Sequence, residues 1–430
     1  MSMNREERRQ KRQEDTKQAA VVVVIFILAL AAVIAAAAFA VYRFWPRNET
    51  PAQTPDTQQT ESVLDTQEPE SEAPEAAVDP LTEQAQQVVA GMTLEDKLAQ
   101  MFVITPEALT GYANVTAAGD TTREAYNSRP VGGIIYMQEN LLGTEQVTEM
   151  LTNMQNIAIE RTGLPAFLSV DEEGGTVTRI AGNEAFGVND VGNMSDIGAT
   201  GDSQNAYNAG STIGGYLKNL GFNVDFAPVA DVLTNSANTA IGTRSFGSDA
   251  NVVADMVSAE LEGLLSQGVY GVVKHFPGHG GTDGDSHDGA VTLDKTLEEL
   301  TAAELVPFQR AVDDGVSFVM VGHISVPQVV GDNTPASLSQ RMVTGVLREQ
   351  LGYQGIVITD AMNMAAVTNS YTADQAAVMA VNAGVDMILM PQDYETAYNG
   401  LLAAVQDGTI TQERIDESVV RIVKIKLQMQ

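Results

Sequence analysis

The chain has 430 residues, no cysteine and a formal net charge of -32 at pH 7. With 44% apolar residues it can bury a large core, whereas the absence of cysteine excludes disulfides, thiolate metal sites and a cysteine nucleophile. Phosphate backbones are bound through an excess of Lys and Arg, so a charge this negative argues against a nucleic-acid partner.

The N-terminal 42 residues are typical of a membrane anchor. Residues 1–18 form a basic tail with six Lys and Arg residues, and residues 19–42 form an uncharged, almost wholly apolar stretch. As a helix this stretch would extend about 36 Å, which is enough to cross a bilayer. Because the basic tail should stay in the cytoplasm, we expect a single-pass protein of the cell membrane, attached through residues 19–42, with the rest of the chain extracytoplasmic.

A cleaved signal peptide is the competing interpretation of the same segment. Ala38, Phe39 and Ala40 resemble a small-residue cleavage site, although the apolar run is longer than the core of a usual signal peptide. Both interpretations export the remaining chain.

Residues 43–83 are predicted to be a disordered acidic linker. The segment is rich in Pro, Thr, Gln and Glu, and no Lys or Arg occurs between Arg47 and Lys97. Such a composition cannot bury enough apolar surface to fold, and its like charges keep the segment extended. One folded domain is then expected over residues 84–430, with Thr93 as the N-cap of an early helix because Glu95 and Asp96 follow it.

Short apolar runs recur between helix-like stretches of this domain, and we predict that they are strands. Strands that alternate with helices indicate parallel βαβ units, and eight of them over about 350 residues fit a single (β/α)8 TIM-type barrel of the α/β class. A doubly wound open sheet is the alternative. The eight predicted strands are Met101–Ile104, Ile134–Met137, Ala166–Val170, Val224–Pro228, Gly271–Val273, Phe318–Val321, Ile356–Thr359 and Met387–Met390.

Polar side chains follow many of these runs, which favours the barrel. The C-terminal ends of barrel strands converge on one face, and barrel enzymes build their sites there. A single aspartate after a strand is more often a helix cap than a catalyst. Here five strands are followed by polar groups, which are Asp171-Glu172-Glu173, Asp231, Lys274-His275, His323 and Asp360.

The segment from Lys274 to His287 holds three of the four histidines in the chain, together with two aspartates and four glycines. Glycine lets the backbone approach a ligand closely, and Pro277 stiffens the loop. Functional residues concentrate in loops held by a rigid scaffold. We therefore predict that proton chemistry takes place here, the alternative being a surface turn with incidental histidines.

This loop resembles the signature of family 3 glycoside hydrolases of the β-N-acetylhexosaminidase type. The resemblance covers residues 85–430, and further motifs of the family follow in its order. They are Asp171-Glu172-Glu173-Gly174-Gly175, Asp225-Phe226-Ala227-Pro228-Val229-Ala230-Asp231, Gly242-Thr243-Arg244-Ser245-Phe246-Gly247, Pro335-Ala336-Ser337-Leu338-Ser339 and Thr359-Asp360-Ala361-Met362.

The resemblance implies that Asp360 is the nucleophile of a retaining glycosidase and that His287, paired with Asp285, is the general acid/base. A retaining mechanism needs one group to attack the anomeric carbon and another to protonate the departing oxygen. A histidine suits the second task because its ordinary pKa lies near 6.5, and a neighbouring aspartate can fix its tautomer. Asp285 and His287 would share one side of an extended segment.

The resemblance assigns sugar binding to five further residues, whose side chains can exchange hydrogen bonds with hydroxyl and carbonyl oxygens. The two arginines could instead be structural ion-pair partners, and the histidine could be a packed loop residue. His279 and His323 could brace or line the pocket. The five residues are Asp171, Arg179, Arg244, Lys274 and His275.

The sequence also departs from the family pattern. Glu172 and Thr176 stand where many relatives have Gln and Arg, which puts contacts beyond the first sugar in doubt. The chain ends soon after the eighth predicted strand, so the additional domain that supplies an acid/base glutamate in the β-glucosidase branch is expected to be absent. That absence would favour the hexosaminidase branch.

The expected function is that of a retaining β-N-acetylglucosaminidase acting on terminal N-acetyl-β-D-glucosaminides, such as peptidoglycan fragments and muropeptides, without a metal or organic cofactor. Two alternatives stay open. A metal-dependent hydrolase could use His275, His279 and His287 as zinc ligands, although Pro277 between the first two disfavours helical ligand spacing. A tethered glycan-binding protein would keep the pocket without turnover.

Overall fold

The computed structural model describes residues 79–287 and 289–430. The predicted basic tail, the anchor at residues 19–42 and residues 43–78 of the linker lie outside these ranges. Within the described ranges no helix is long and apolar enough to cross a bilayer.

An eight-stranded parallel sheet curls into a nearly closed barrel, which fits the predicted TIM-type fold. The strands are β1 Phe102–Ile104, β2 Gly133–Ile135, β3 Phe167–Val170, β4 Val224–Asp225, β5 Tyr270–Phe276, β7 Phe318–Val321, β9 Ile356–Thr359 and β10 Ile388–Leu389.

The neighbour order of these strands is β10-β1-β2-β3-β4-β5-β7-β9, so from β1 to β9 each barrel strand pairs with the next barrel strand along the chain, and β10 pairs with β1. The two outer strands approach each other through a parallel bridge between Ile358 and Met387. A doubly wound sheet would reverse its strand order at a switch point, and this sheet does not. The open-sheet alternative is therefore wrong.

Two short strands, β6 Val291–Thr292 and β8 Ile324–Ser325, form a separate parallel pair that the sequence analysis did not predict. With two residues each, they are too short to give an alternating pattern. The N–H of Leu293 extends the pairing by donating to the carbonyl of Ser325 at 2.9 Å. The pair fixes the chain directly after the histidine-rich loop.

Helices connect the strands and surround the barrel. The α-helices of the described residues are Pro80–Ala90, Leu94–Gln100, Pro106–Thr110, Asp120–Ser128, Thr144–Thr162, Met194–Gly198, Ser203–Leu220, Ala250–Ser266, Leu297–Ala302, Val306–Asp313, Pro327–Val330, Ala365–Thr368, Ala373–Ala383, Tyr394–Gln406 and Gln412–Gln428. A π-helix covers Arg341–Gln350, and 3-10 turns cover Gln138–Asn140, Glu184–Phe186, Gly242–Arg244 and Ala336–Leu338.

Helix starts follow ordinary capping chemistry. The Thr93 hydroxyl accepts a hydrogen bond from the N–H of Asp96 at 3.2 Å, as the sequence predicts. The first described helix begins at Pro80 behind the N-cap Asp79, a few residues before the boundary expected at 84.

The barrel strands are buried on both faces, which is why their sequences are continuous apolar runs. Inside the barrel, the rings of Phe167 and Phe318 meet edge to face with centroids 5.2 Å apart. Both residues start their strands, so this contact fills the N-terminal end of the barrel and leaves the C-terminal end for polar side chains.

A buried carboxylate locks the N-terminal end of the barrel to the last helix. Asp386 precedes β10, has no exposed surface and pairs with Arg348 and with Arg421, the latter at 3.0 Å. It also accepts hydrogen bonds from the Ser418 hydroxyl at 2.6 Å and from the N–H of Val357 at 2.9 Å. Burial alone would raise the pKa of Asp386, but the arginines around it outweigh burial and hold the pKa below its ordinary value.

Replacing Asp386 with Asn should lower the free energy of unfolding by about 3–5 kcal/mol, because buried arginine charge loses its partner. Since the folded-state pKa is depressed, the stabilisation is complete above the unfolded pKa near 3.9 and is lost as the pH falls through the folded value. The difference between wild type and variant should therefore shrink below about pH 4 in denaturant titrations. Asp255→Asn, which removes an exposed ion pair to Arg310, is the matched control and should cost less than about 1 kcal/mol. Equal losses for both variants would contradict this account.

Candidate active site

One cavity of about 330 Å³ opens among the C-terminal ends of the strands. Its size is at the lower end of the range for small-molecule sites. All eight residues that the sequence analysis assigned to catalysis or sugar binding line it, namely Asp171, Arg179, Arg244, Lys274, His275, Asp285, His287 and Asp360. Residues that are as far apart as 189 positions in the sequence, from Asp171 to Asp360, thus face one space.

The end of β3 supplies two of the carboxylates in this region. Asp171 and Glu173 lie on the same side of the chain, and both bind the ammonium group of Lys274 from β5. The Nζ of Lys274 is 2.9 Å from Asp171 Oδ1 and 2.6 Å from Glu173 Oε1. The sequence motif contains Glu173 but assigns it no role, although its spacing of two residues from Asp171 indicates that both side chains share one side.

Glu173 also binds Arg244, which enters from the 3-10 turn after β4. The Arg244 Nε and Nη2 atoms donate to the two carboxylate oxygens at 2.7 and 2.8 Å, a bidentate pair. Arg244 is therefore an ion-pair partner, which was the alternative to sugar binding given for the two arginines. It also lines the cavity.

Opposite charges keep this buried cluster ionised. Burial alone would raise the pKa of Glu173, but the charges of Lys274 and Arg244 hold it far below its ordinary value. Burial would lower the pKa of Lys274, but Asp171 and Glu173 raise it instead. A carboxylate and two cations are thus fixed beside the cavity at neutral pH.

Asp231, which follows β4, orients two histidines. Its Oδ2 accepts from Nδ1 of His275 at 2.7 Å, and its Oδ1 accepts from the N–H of His279 at 2.6 Å and of His275 at 3.3 Å. His275 therefore carries a proton on Nδ1 and directs Nε2 towards Arg244, whose Nη2 lies 3.5 Å away. The sequence placed Asp231 at a strand end, but its histidine partners could only be found from the fold.

Asp360 stands at the end of β9 on the floor of the cavity. Its Oδ1 accepts the N–H of Ala361 at 2.7 Å. Burial raises the pKa of Asp360, but His275, the hydrogen bond from the N–H of Ala361 and the charge of Lys274 hold the pKa below its ordinary value. The carboxylate is consequently charged at neutral pH and able to act as a nucleophile.

His323 lies behind Asp360 and does not line the cavity. Its Nδ1 is 2.7 Å from the Ser337 hydroxyl and its Nε2 is 3.1 Å from the carbonyl of Ala361. Burial lowers the pKa of His323, so the ring is neutral at pH 7. We assign a Nε2–H donor to the carbonyl and a Nδ1 acceptor to the hydroxyl, an arrangement that braces the backbone next to Asp360.

His287 and Asp285 form a pair on the opposite, open side of the cavity. Nδ1 of His287 is 2.8 Å from Asp285 Oδ1, which also accepts the N–H of His287 at 2.9 Å. The two side chains meet because residues 285–287 form a turn, not through the extended segment that we predicted. With 70% of its side chain exposed, His287 is open to solvent.

His279 supports the loop that carries this pair. Its Nε2 lies 3.2 Å from the Ser286 hydroxyl, and its Nδ1 lies 2.9 Å from the Thr282 hydroxyl. Burial lowers the pKa of His279, so the ring is neutral and serves as a hydrogen-bonding strut. The ring nitrogens of His275 and His279 face protein groups, and across the described residues no group of three or more His, Asp or Glu side chains is arranged to hold a metal.

The arrangement offers one charged carboxylate, one exposed imidazole that is oriented by a carboxylate, and a set of fixed donors and acceptors between them. This division suits a reaction in which one group attacks a carbon centre and another transfers a proton to the leaving oxygen. The charged cluster of Asp171, Glu173, Arg244 and Lys274 suits recognition of neighbouring hydroxyl groups.

Comparison with known proteins identifies the family. The sequence profile of the "Glycosyl hydrolase family 3 N terminal domain" matches residues 93–425. The chain is 33% identical to beta-hexosaminidase A of Pseudoalteromonas piscicida over 74% of this chain and 56% of that protein. It is 34% identical to beta-hexosaminidase LpqI of Mycobacterium tuberculosis over 79% of this chain and 84% of that protein.

A solved structure agrees with these relatives. A family 3 beta-N-acetylglucosaminidase from Paenibacillus superposes with a TM-score of 0.74 at 40% identity, over 79% of this chain and 63% of that chain. The present chain thus spans little more than half of the Pseudoalteromonas protein and less than two thirds of the Paenibacillus structure.

Replacing Asp231 with Asn should switch the tautomer of His275. The amide oxygen will face the two peptide N–H donors, which leaves the NH2 group against Nδ1 of His275 and forces the proton onto Nε2. Loss of the charged acceptor should also lower the free energy of unfolding by about 1–3 kcal/mol. Imidazole 15N NMR will report the tautomer, and because the chain has four histidines the signals can be assigned by mutation. The His323 signals are the internal control and should not change. A Nδ1–H tautomer of His275 in the variant would refute the assignment.

Proposed function

Because the chain belongs to glycosyl hydrolase family 3, we propose that it is a retaining β-N-acetylglucosaminidase that hydrolyses terminal N-acetyl-β-D-glucosaminides. The observation that carries this proposal is the single cavity that holds the Asp360 carboxylate together with the His287–Asp285 pair. The names of the relatives, beta-hexosaminidase and beta-N-acetylglucosaminidase, support the choice of sugar.

In the first step, a carboxylate oxygen of Asp360 attacks the anomeric carbon and the glycosidic bond breaks. His287 donates its Nε2 proton to the departing oxygen, which leaves as the alcohol of the aglycone. A covalent glycosyl ester on Asp360 results. In the second step, neutral His287 takes a proton from water as that water attacks the anomeric carbon, and Asp360 is released as a carboxylate.

Asp285 enables His287 to perform both steps. With Nδ1–H donated to Asp285, the ring directs Nε2 away from the pair, and the carboxylate stabilises the imidazolium that must exist before proton donation. Burial would raise the pKa of Asp285, but its bonds to the backbone and ring of His287 hold it below its ordinary value. Asp285 therefore stays ionised and does not compete for the proton.

The side of the cavity that is formed by the ion-pair cluster and Arg179 would hold the sugar. Asp171 can accept bonds from adjacent hydroxyl groups, while Lys274, Arg244 and Arg179 can donate to hydroxyl or acetamido oxygens. Because the cluster of Asp171, Lys274 and Arg244 is already ordered by Glu173, binding costs little side-chain entropy. The ring would then lie between Asp360 and the His287 loop.

The cellular setting is also part of the proposal. We place the catalytic domain outside the cell membrane, tethered by residues 19–42, since a 24-residue apolar stretch behind six basic residues favours an inward-facing N-terminus. An extracytoplasmic location makes cell-wall fragments such as muropeptides the substrate class to test first.

Activity on aryl N-acetyl-β-glucosaminides tests the proposal, and His287→Ala tests the proton donor. Loss of a general acid typically costs about 10²–10⁴-fold in rate. We expect that loss in kcat/KM for a methyl or disaccharide substrate and a much smaller one for a dinitrophenyl glycoside, whose leaving group needs no proton.

The internal control is the retained kcat/KM of the variant for the dinitrophenyl substrate, because kcat/KM reports formation of the glycosyl-enzyme and not the second step, in which His287 acts as the base. Equal slowing for good and poor leaving groups would rule out His287 as the acid. Binding without product release in the wild type would favour a glycan-binding protein, and loss of wild-type activity in EDTA would favour a metal-dependent hydrolase.

A further inference from the structure

Glu172 is a buried acid that the reaction scheme above does not use. It lies between Asp171 and Glu173, and because side chains alternate along the end of β3 it points away from the cavity that they border. Its side chain has no exposed surface and does not line the cavity. Its backbone is fixed, since its N–H donates to Asp225 Oδ1 of β4 at 3.0 Å.

The two carboxylate oxygens of Glu172 accept four hydrogen bonds. Oε2 accepts from the N–H of Arg179 at 2.6 Å and of Ile180 at 2.8 Å. Oε1 accepts from the N–H of Ala181 and from the hydroxyl of Tyr216, both at 2.8 Å. Three consecutive peptide N–H groups therefore converge on one carboxylate, an arrangement that holds the backbone of residues 179–181 against the barrel.

The first of these three residues faces the substrate space. Arg179 lines the cavity, and its Nε is buried without a hydrogen-bond partner among the described residues. An unpaired buried donor is costly unless a ligand supplies the acceptor. Unlike Arg244, which Glu173 holds through its guanidinium, Arg179 is placed from its backbone end.

We propose that Glu172 is a positioning residue that fixes the backbone of residues 179–181 and thereby sets the guanidinium of Arg179 for sugar binding. The inference rests on the proposed function, because it assigns Arg179 to the same N-acetylglucosaminide. It adds a residue that acts on substrate affinity without touching the substrate.

In this chain a carboxyl group stands where many relatives have Gln, and its two oxygens accept all four hydrogen bonds. In Glu172→Gln, one oxygen becomes an NH2 group, which has no acceptor for the N–H of Ala181, or for those of Arg179 and Ile180 in the other orientation. Burial raises the pKa of Glu172, and the four donors oppose this rise. A carboxyl proton shared with Tyr216 would still leave oxygen acceptors for all three peptide groups, so the amide differs from both protonation states.

Glu172→Gln should raise KM about tenfold with little change in kcat, because the effect is on ground-state and transition-state binding alike. Arg179→Ala should raise KM further. If Glu172 acts through Arg179, then adding Glu172→Gln to Arg179→Ala should raise KM less than about twofold more, as expected for coupled residues. Additive effects on KM, or a fall in kcat alone, would overturn the proposal.

Hydrogen exchange gives a second readout that does not depend on activity. In Glu172→Gln, the amide of Ala181, or those of Arg179 and Ile180 in the other orientation of the new amide, should exchange at least about tenfold faster than in the wild type, since they lose their acceptor. Unchanged exchange over this segment would overturn the proposal even if the wild type proved inactive on N-acetylglucosaminides.

Glu260→Gln is the matched control. Glu260 is equally buried, its two carboxylate oxygens have no partner among the described residues, and burial raises its pKa to about 8, so the side chain is largely neutral at pH 7. Its replacement should leave KM and the exchange of residues 179–181 unchanged. An inactive wild type would refute the proposed function, whereas an active wild type with normal KM in Glu172→Gln would refute this inference alone.

Discussion

A single buried carboxylate, Glu173, organises the catalytic end of this barrel. With 2% of its side chain exposed, it pairs with Lys274 from β5 and with Arg244 from the segment after β4. Burying three charges is costly unless they pair with one another in good geometry and their hydrogen-bonding groups have partners. The ends of three neighbouring strand units are consequently held at fixed separations, and Asp171 is fixed with them through Lys274.

The cavity that results has a rigid side and an open side. Asp360, the charged cluster around Glu173 and the Asp231-bound His275 stand on strand ends or are bonded directly to them. His287 and Asp285 stand on a loop that is supported by His279 and closed by the β6–β8 pair. A sugar ring recognised by the rigid side would leave its aglycone at the exposed loop, where different leaving groups can be accommodated.

Much of this could be predicted from the sequence, since buried parallel strands must be apolar and the side chains that follow them must meet at one face. The runs at Phe318–Val321 and Ile356–Thr359 coincide with β7 and β9. The contacts could not be predicted. That Glu173 bridges two cations, that Asp231 binds two histidines and that Glu172 binds three peptide groups depends on strand pairing and loop turns, which no local pattern encodes.

Trapping of the covalent intermediate would show whether Asp360 attacks the sugar. The enzyme would be incubated with a fluorinated N-acetylglucosaminide whose glycosyl-enzyme hydrolyses slowly, then digested and mapped by tandem mass spectrometry. We expect one added sugar, located on Asp360. A label on another carboxylate such as Asp171 or Asp285, or turnover to a product of inverted configuration without any label, would contradict it.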